Sequence, residues 1–179
     1  MTLQLPPSNL LRATGYSLAP SSTNPESNGT DSDKTNYHIE QASWRDLNAL
    51  RRLEQECFLR DAWPLLDLIG VLAFPNVVRL KAVLDEEMIG FVAGDVRSSQ
   101  GLAWISTIAV FPRFRGRGIG RALLEACEGR LEVSRIQLSV RISNQAAIRL
   151  YEDAGYHREG LWSGYYEDGE DALVMQKER

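Results

Sequence analysis

The sequence predicts an α/β protein in which a mixed, mainly antiparallel sheet of about seven strands has helices on both faces. Three observations support this fold class. Long strand patterns follow one another through the middle of the chain, and helical and strand patterns alternate in its second half. A loop rich in glycine and arginine joins one of the middle strands to a helix, which is typical of a ligand-binding α/β protein.

The chain divides into a polar N-terminal segment and one globular domain. Ser, Thr, Asn, Pro and Gly make up 21 of the first 36 residues, so we expect residues 1–36 to be a disordered tail. Its only basic residues, Arg12 and Lys34, are too few for a transit peptide. Residues 37–179 are expected to form a single domain, since a chain with 44% hydrophobic residues can bury a stable core without disulfides.

The composition also limits the class of partner. A net charge of −4 at pH 7 argues against a nucleic-acid-binding surface and favours a small anionic ligand for the local arginine cluster. Cys57 and Cys127 lack metal-ligand spacing and are expected to be buried thiols, while His38 and His157 are expected to be structural or surface residues, so no metal site is predicted. With no apolar run near the roughly 20 residues that span a bilayer, and no leader pattern, we expect a cytoplasmic protein that does not bind membranes.

The first elements are a short strand and two helices. Residues 37–41 are expected to form the strand, after which Ser43 and Asp46 have the spacing of a capping box at a helix start. The expected buried face of this helix contains Trp44, Leu47, Leu50, Leu53 and Cys57. A second helix is expected after Pro64.

Three long strands and then alternating elements follow. Residues 77–84 and 88–96 form a hairpin around Asp85-Glu86-Glu87, and 102–110 follows a turn at 98–101; the three should pair antiparallel. The helix after the glycine loop should turn Ile119, Leu123, Ala126 and Cys127 inward. The remaining expected elements are a buried strand at 136–140, a helix at 145–154 that ends at Gly155, and strands at 156–162 and 172–176 around a turn at 167–170.

The loop at the start of the third helix has the composition of a phosphate cradle: Phe114-Arg115-Gly116-Arg117-Gly118-Ile119-Gly120-Arg121. The first turn of a helix leaves backbone N–H groups without internal acceptors, and the helix dipole adds positive charge there. Glycines let the backbone approach a ligand closely, and arginines donate charge-assisted hydrogen bonds to phosphate. We therefore expect a ligand with several phosphate groups.

The spacing excludes the two best-known nucleotide motifs. A Walker loop requires Lys-Ser or Lys-Thr after its last glycine, but Gly120 is followed by Arg121 and Ala122. A dinucleotide-binding fingerprint requires glycine three residues after Gly118, where Arg121 stands. What remains is Arg-x-x-Gly-x-Gly, in which Arg115, Gly118 and Gly120 are the fixed positions.

This pattern resembles the acyl-coenzyme A pyrophosphate loop of the GNAT N-acetyltransferase superfamily. The similarity extends over most of residues 37–177 and is most like the bacterial ribosomal-protein alanine N-acetyltransferase subgroup. The segments that resemble that subgroup are 108–112, 117–124, 144–152, 155–156 and 165–172. The resemblance implies a GNAT-like sheet with a splayed central strand pair and acetyl-CoA as the acetyl donor, with no metal.

The resemblance also implies roles for individual residues. Loop residues 115–121 would bind the pyrophosphate, and Asn144 would contact the coenzyme. Because the strand splays from its neighbour, the N–H groups near Ile108, Ala109 and Val110 would bond the pantetheine amides and polarise the thioester. Tyr151 would protonate the departing thiolate as general acid. The aromatic residues Trp162, Tyr165 and Tyr166 either line the acceptor site or form a core or surface cluster.

One position departs from the subgroup. Its catalytic glutamate lies in a Glu-Val-Arg segment on the strand before Asn144, whereas this chain has Ser139-Val140-Arg141. Serine cannot be that base, so deprotonation of the amine falls to bulk water, to an ordered-water chain, or to another carboxylate. The carboxylates considered are Glu159, Glu167, Asp168 and Glu170.

The resulting prediction is an acetyl-CoA-dependent N-acetyltransferase that acts by direct attack in a ternary complex. The acceptor is expected to be a protein N-terminal α-amine, because an α-amine needs less help from a base than a lysine amine does. The N-terminus of a ribosomal protein is one candidate. The alternatives are a small-molecule amine or lysine as acceptor, or a non-catalytic module that binds acyl-CoA. Nucleic-acid binding through the arginine loop has little support in an acidic chain.

Overall fold

The computed structural model of the protein describes residues 36–58 and 62–179. Apart from Asn36, the predicted N-terminal tail lies outside these residues. The strands are β1 His38–Gln41, β2 Val77–Leu84, β3 Glu87–Arg97, β4 Leu102–Val110, β5 Arg135–Arg141, β6 His157–Trp162 and β7 Ala172–Glu178. They form one seven-stranded sheet in the order β1-β2-β3-β4-β5-β7-β6.

The pairing of the strands is antiparallel throughout the sheet except between β4 and β5, which are parallel. The hairpin of β2 and β3 and the pairing of β3 with β4 therefore follow the sequence prediction. The mixed, mainly antiparallel sheet is confirmed. Its one parallel pair is connected by a helix, as the sterics of a parallel crossover require.

Within the described ranges, four α-helices cover the two faces of the sheet: α1 Leu47–Cys57, α2 Leu65–Ala73, α3 Ile119–Glu128 and α4 Gln145–Asp153. The contacts of alternating residues of β4 show which face of the sheet each helix covers. Ile108 and Val110 pack in the core with residues of α3 and α4. Ala109 packs in a second core with residues of α1 and α2. The prediction of helices on both faces is confirmed, and we refer to the two sides as the α3/α4 face and the α1/α2 face.

The central strand pair is splayed. Only Leu102–Trp104 of β4 pair with β5, opposite residues 135–137. Beyond Trp104, β4 continues to Val110 with β3 as its only strand partner, while β5 continues along β7. A β-bulge at Ser106, where the register with β3 shifts, lies next to the point of separation. The result is a gap between two strands in the middle of the sheet.

One expectation about the first helix is wrong. Trp44 is 72% exposed, because Trp44–Asp46 form a 3-10 turn and the α-helix begins only at Leu47. The tighter turn changes the direction of the side chains, so the helical spacing counted from Trp44 does not apply. The capping interaction itself is present, since the Ser43 backbone N–H donates to Asp46 Oδ2 at 2.7 Å.

The expectations for the cysteines and histidines agree with the structure. Cys57 and Cys127 are free and buried. The side chains of His38 and His157 are 64% and 55% exposed, which makes both surface residues. Within the described part of the chain, no helix is both long and apolar enough to cross a membrane.

Candidate active site

The glycine-arginine loop leads from β4 through a 3-10 turn, Pro112–Phe114, into α3. Gly116 and Gly118 have φ angles of +76° and +77°, which favour glycine, and a Cβ at either position would meet no atom within 4 Å. The first helical hydrogen bond of α3 runs from Ala122 N–H to Gly118 C=O at 3.0 Å. The backbone N–H groups at the start of α3, before Ala122, therefore have no acceptor within the helix and can donate to an external acceptor.

An open cleft of about 250 Å³ lies above this loop. It is lined by Val110, Phe114, Arg115, Gly116, Gly118, Ile119, Gly120, Arg121, Ala146 and Leu150. The cleft thus brings together the end of β4, the start of α3 and one side of α4. Seven residues that the sequence assigned to the coenzyme lie in this lining, while Ile108 and Ala109 precede Val110 on β4.

The three arginines of the loop differ in position. Arg115 Nε donates to Val110 C=O at 3.0 Å, so this side chain braces the loop against the end of β4. The Arg117 guanidinium lies 5.6 Å from the centroid of the Phe114 ring. Arg121 Nη2 is 4.0 Å from Asp153 Oδ2, a long contact between side chains that are both largely exposed. Arg115 and Arg121 line the cleft together with the loop glycines, whereas Arg117 is not part of its lining. Two arginines beside glycine backbone are a suitable environment for phosphate.

Asn144 is the N-cap of α4, and its side-chain Oδ1 accepts a hydrogen bond from Ala147 N–H at 3.2 Å. Its amide nitrogen Nδ2 is buried and has no hydrogen-bond partner within the described structure. A buried unpartnered donor is costly, and a polar ligand would relieve that cost. The structure therefore fits the predicted contact of Asn144 with an amide-containing coenzyme arm.

Tyr151 lies two helical turns along α4 from Asn144, on the buried side of the helix and 5% exposed. Its ring contacts that of Tyr156 edge to face, with 5.9 Å between the centroids. The Tyr156 hydroxyl donates to Glu128 Oε1 at 2.8 Å, which fixes this second ring against α3. Tyr151 is thereby held in the core beside Leu150, which lines the cleft.

The α1/α2 face of the sheet has a continuous group of aromatic side chains beside the gap. Trp104 stacks on Trp162 with centroids 5.6 Å apart, and the series continues through Tyr165 to Tyr166 at 5.2 Å for each step. We call Trp104, Trp162, Tyr165 and Tyr166 the aromatic shelf. Trp104 Nε1 is buried without a hydrogen-bond partner among the described residues, so the shelf contains a donor that a ligand could use.

Arg141, at the end of β5, connects the sheet to the acidic turn between β6 and β7. Its Nη1 lies 3.0 Å from Asp168 Oδ1 and 2.6 Å from Glu170 Oε2, and its guanidinium stacks 3.9 Å from the Tyr166 ring centroid. The hydrogen bond from Arg141 lowers the pKa of Asp168. Burial opposes ionisation of Glu170, but hydrogen bonds from Ser143 and Arg141 outweigh it and lower that pKa as well. Both carboxylates are therefore weak bases engaged by a cation.

Sequence reasoning missed a buried carboxylate on α1. Glu54 is 1% exposed, accepts from Thr107 Oγ1 at 3.4 Å and from Trp63 N–H at 3.5 Å, and burial raises its pKa to about 8. The spacing of Leu50, Leu53 and Cys57 places position 54 on the buried face of a helix, so a sequence signal existed. Its partner Thr107 comes from a strand 53 residues away, and helical spacing does not reveal that contact.

These features together define a class of protein. A glycine-rich helix N-terminus at a splayed parallel strand pair is suited to the pyrophosphate and amide arm of an acyl-coenzyme A. The aromatic shelf lies on the opposite face of the same gap, where a second substrate can approach. The arrangement is that of an acyltransferase.

Comparison with known proteins identifies the family. The sequence model of the acetyltransferase (GNAT) family matches residues 37–156. The chain is 35% identical over 146 residues to an uncharacterized N-acetyltransferase of Methanocaldococcus jannaschii, with 79% of this chain and 91% of that protein covered. It is 33% identical over 138 residues to the N-alpha-acetyltransferase RimI of Mycobacterium tuberculosis, covering 74% and 87% of the two chains.

A solved structure gives the same result. The crystal structure of the ribosomal-protein-S18-alanine N-acetyltransferase from Escherichia coli superposes with a TM-score of 0.71 and 30% identity, covering 79% of this chain and 93% of the other. The chain therefore belongs to the acetyltransferase (GNAT) family. It is an acetyl-CoA-dependent N-acetyltransferase of the GNAT type, and the predicted enzyme class is confirmed.

Proposed function

We propose that this enzyme acetylates the N-terminal α-amine of a protein, with a ribosomal protein as one candidate acceptor. The observation on which the proposal mainly depends is the gap between β4 and β5, with a phosphate cradle on one side and an aromatic shelf on the other. The similarity to enzymes named N-alpha-acetyltransferase and ribosomal-protein-S18-alanine N-acetyltransferase supports the same acceptor class.

The proposed donor site uses the cleft at the start of α3. The pyrophosphate would accept hydrogen bonds from the N–H groups of residues 116–121 and from the loop arginines. The pantetheine arm would then pass Asn144, whose buried Nδ2 lacks a partner among the described residues, and follow the β4 edge that β5 leaves unpaired. Backbone N–H groups near Ile108, Ala109 and Val110 would hold the thioester oxygen as charge develops on it.

The acceptor would enter from the opposite face. The glycine-arginine loop, α3 and α4 surround the donor cleft on the α3/α4 face. The gap is therefore approached by the acceptor from the α1/α2 face. Trp104 and Ser139 both face that side, since their strand neighbours Ile105 and Leu138 belong to the α3/α4 core. The first residues of a peptide chain could lie on the aromatic shelf with the amine directed into the gap.

The chemistry proposed is a direct transfer. The neutral amine attacks the acetyl carbonyl carbon, the C–S bond breaks, and the hydroxyl of Tyr151 protonates the thiolate of coenzyme A. Replacing the subgroup's glutamate by Ser139 favours an acceptor that loses its proton easily. An α-amine has a pKa of about 7.7–8.0 and is roughly a tenth neutral at pH 7, whereas a lysine amine with a pKa of about 10.4 is neutral in fewer than about one molecule in a thousand.

An acceptor screen tests this proposal. Thiol release and product mass would be measured with a peptide that starts with alanine and lacks lysine, and with the same peptide blocked at its N-terminus and given one internal lysine. A polyamine and free amino acids complete the set. We expect the first peptide to have the highest kcat/KM. Faster acetylation of the blocked lysine peptide or of the polyamine would contradict the proposal.

A further inference from the structure

Among the described residues, Glu54 differs from the other buried carboxylates in that none of these residues places a cation beside it. Asp95 accepts from Arg97 Nε, and Glu128 accepts from Lys177 Nζ at 2.6 Å and from the Tyr156 hydroxyl. The donors described for Glu54 are a hydroxyl and a backbone N–H, both neutral and both at long distances. A buried carboxylate in such surroundings is costly when ionised, so folding alone does not explain why glutamate occupies this position.

The position of its partner points to the reaction. Thr107 lies on β4 beyond Trp104, in the stretch that β5 leaves unpaired, and is itself only 2% exposed. The next residue, Ile108, packs in the α3/α4 core, so Thr107 faces the α1/α2 side of the strand, where it meets α1. Ser139 faces the same side from β5. The Thr107 hydroxyl thus borders the gap on the face from which the amine is proposed to enter.

We propose that Thr107 and Glu54 remove the proton that the incoming amine must lose. Thr107 would contact the ammonium group, and Glu54 would act through it as the positioning residue that finally holds the proton. This inference rests on the proposed approach of the amine from the α1/α2 face. It assigns the deprotonation to a pair of residues on α1 and β4 instead of to the carboxylates after β5.

The proton transfers balance as follows. The ammonium gives one proton to Thr107 Oγ1 while Thr107 gives its own to Glu54 Oε1, which yields a neutral amine and a carboxylic acid. Attack forms the C–N bond, and the C–S bond then breaks. The nitrogen loses its second proton at that stage, and this loss balances the proton that the coenzyme A thiolate receives. The third proton stays on the amide nitrogen. Glu54 returns its proton to solvent before the next turnover.

The surroundings of Glu54 allow this pair to respond to pH. With the pKa of Glu54 near 8, its proton-accepting form grows over the same range in which an α-amine becomes neutral. The adjacent ionisable group on α1 is Cys57, whose pKa burial raises to about 11, so it remains a neutral thiol in that range, with Arg115 near it. The other packed elements contribute Asp67 on α2 and Asp95 on β3, and β4 has no ionisable side chain.

The test compares Glu54→Gln and Thr107→Val with two matched controls. Glu56→Gln removes a carboxylate from the exposed side of the same helix, and Thr107→Ser keeps the hydroxyl. For each variant, kcat and KM would be measured from pH 6 to 9.5 with saturating acetyl-CoA, and coenzyme A binding would be measured by calorimetry. The acceptor is whichever amine of the screen the wild type acetylates fastest, so failure of the α-amine proposal changes the acceptor and leaves this test intact.

We expect Glu54→Gln and Thr107→Val each to lower kcat by about 100- to 10,000-fold at pH 8, the range expected for loss of a general base. One ionisation should disappear from the kcat profile, coenzyme A affinity should be unchanged, and the double variant should be no worse than either single one. Glu56→Gln should retain the wild-type profile, and Thr107→Ser, which keeps the hydroxyl, should keep the ionisation that Thr107→Val loses. A wild-type pH profile of kcat in Glu54→Gln, or equal losses in Thr107→Ser and Thr107→Val, would overturn the proposal. If Glu54→Gln fails to fold, the two Thr107 variants decide the question.

Discussion

Gly118, like Gly116, combines two properties that make it a sensitive position of the cradle. It has a φ of +77°, and the space where its Cβ would project is empty. Gly118→Val would fill space proposed for the pyrophosphate and strain the loop, so we expect coenzyme A affinity to fall at least about tenfold, which corresponds to about 1.4 kcal/mol. Calorimetric titration with coenzyme A measures this change.

Gly169→Val is the matched control for that experiment. Gly169 also has a positive φ, +82°, with nothing within 4 Å of its Cβ position, but it lies in the turn between β6 and β7 outside the cleft lining. Gly169→Val should lower the free energy of unfolding about as much as Gly118→Val does, and it should keep the wild-type affinity for coenzyme A. Equal losses of affinity in the two variants would mean that strain, and not occupation of the cradle, explains the result for Gly118.

Tyr151 and Tyr156 form a natural pair for testing the general acid. Their rings are in contact, and the Tyr156 hydroxyl donates to Glu128. Tyr151→Phe should lower kcat by about 100- to 10,000-fold with little change in coenzyme affinity, because the acid is needed only when the thiolate departs. Tyr156→Phe should reduce stability and leave kcat nearly unchanged. Full turnover by Tyr151→Phe across the pH range would exclude the acid role.

At the scale of single elements, the turn between β2 and β3 shows a local feature that invites a stability test. Asp85 and Glu86 have φ angles of 49° and 65°, the left-handed pair that a two-residue hairpin requires. A glutamate in that conformation is unfavourable by about 1 kcal/mol relative to glycine. Glu86→Gly should therefore raise the free energy of unfolding by about this amount in urea denaturation. Glu86→Ala, which removes the charge but keeps the Cβ, should not; an equal gain there would point to charge repulsion instead.

Whether an element could be predicted depended on how local its cause is. The strand at Leu102–Val110 was predicted with its observed bounds, because alternation and turn residues lie within the segment itself. The extra residue in the predicted β2–β3 turn, Glu87, belongs to β3, since the hairpin closes with two left-handed residues. Trp44 was misplaced because the 3-10 turn before α1 is not visible in helical spacing.

The residues of the candidate site show the same difference between local and distant causes. The loop residues were predictable, because glycine and arginine spacing directly reflects backbone conformation and charge. Glu54 was not, since its importance comes from contact with Thr107 on a distant strand and from burial by the whole domain. The roles assigned to Asn144 and Tyr151 remain predictions, although the structure adds a buried, unpartnered Asn144 amide within the described residues.

At the scale of the whole molecule, the gap in the sheet connects donor and acceptor. Seven strands and four helices would make an ordinary two-faced domain if β4 and β5 paired along their full length. Their separation after Trp104 leaves one edge of β4 unpaired between the glycine-rich loop, beside the α3/α4 face, and the aromatic shelf on the α1/α2 face. In the proposed reaction, donor and acceptor would approach this strand edge from opposite sides.

The burial of Glu54 should also be measurable in the stability of the whole domain. Its pKa is about 8 in the folded protein against an ordinary value of 4.5, so between these pH values the folded state keeps a proton that the unfolded state has lost. Stability must then fall as the pH rises through that window, by up to about 1.4 kcal/mol per pH unit from this one group. The contribution is fully present below pH 4.5 and is lost once the pH passes about 8.

Urea unfolding of the wild type, Glu54→Gln and Glu56→Gln at pH 5, 6.5 and 8 would reveal this coupling. Glutamine has nearly the shape of the protonated acid, but it has one acceptor oxygen where the acid has two. Glu54→Gln can therefore be less stable than the wild type at pH 5. Its deficit should shrink or reverse by pH 8, because it has no proton to lose, whereas Glu56→Gln should follow the wild type at every pH. Parallel curves for the wild type and Glu54→Gln would mean that Glu54 ionises normally in the folded protein, and the same result would remove the basis for a base that becomes active near pH 8.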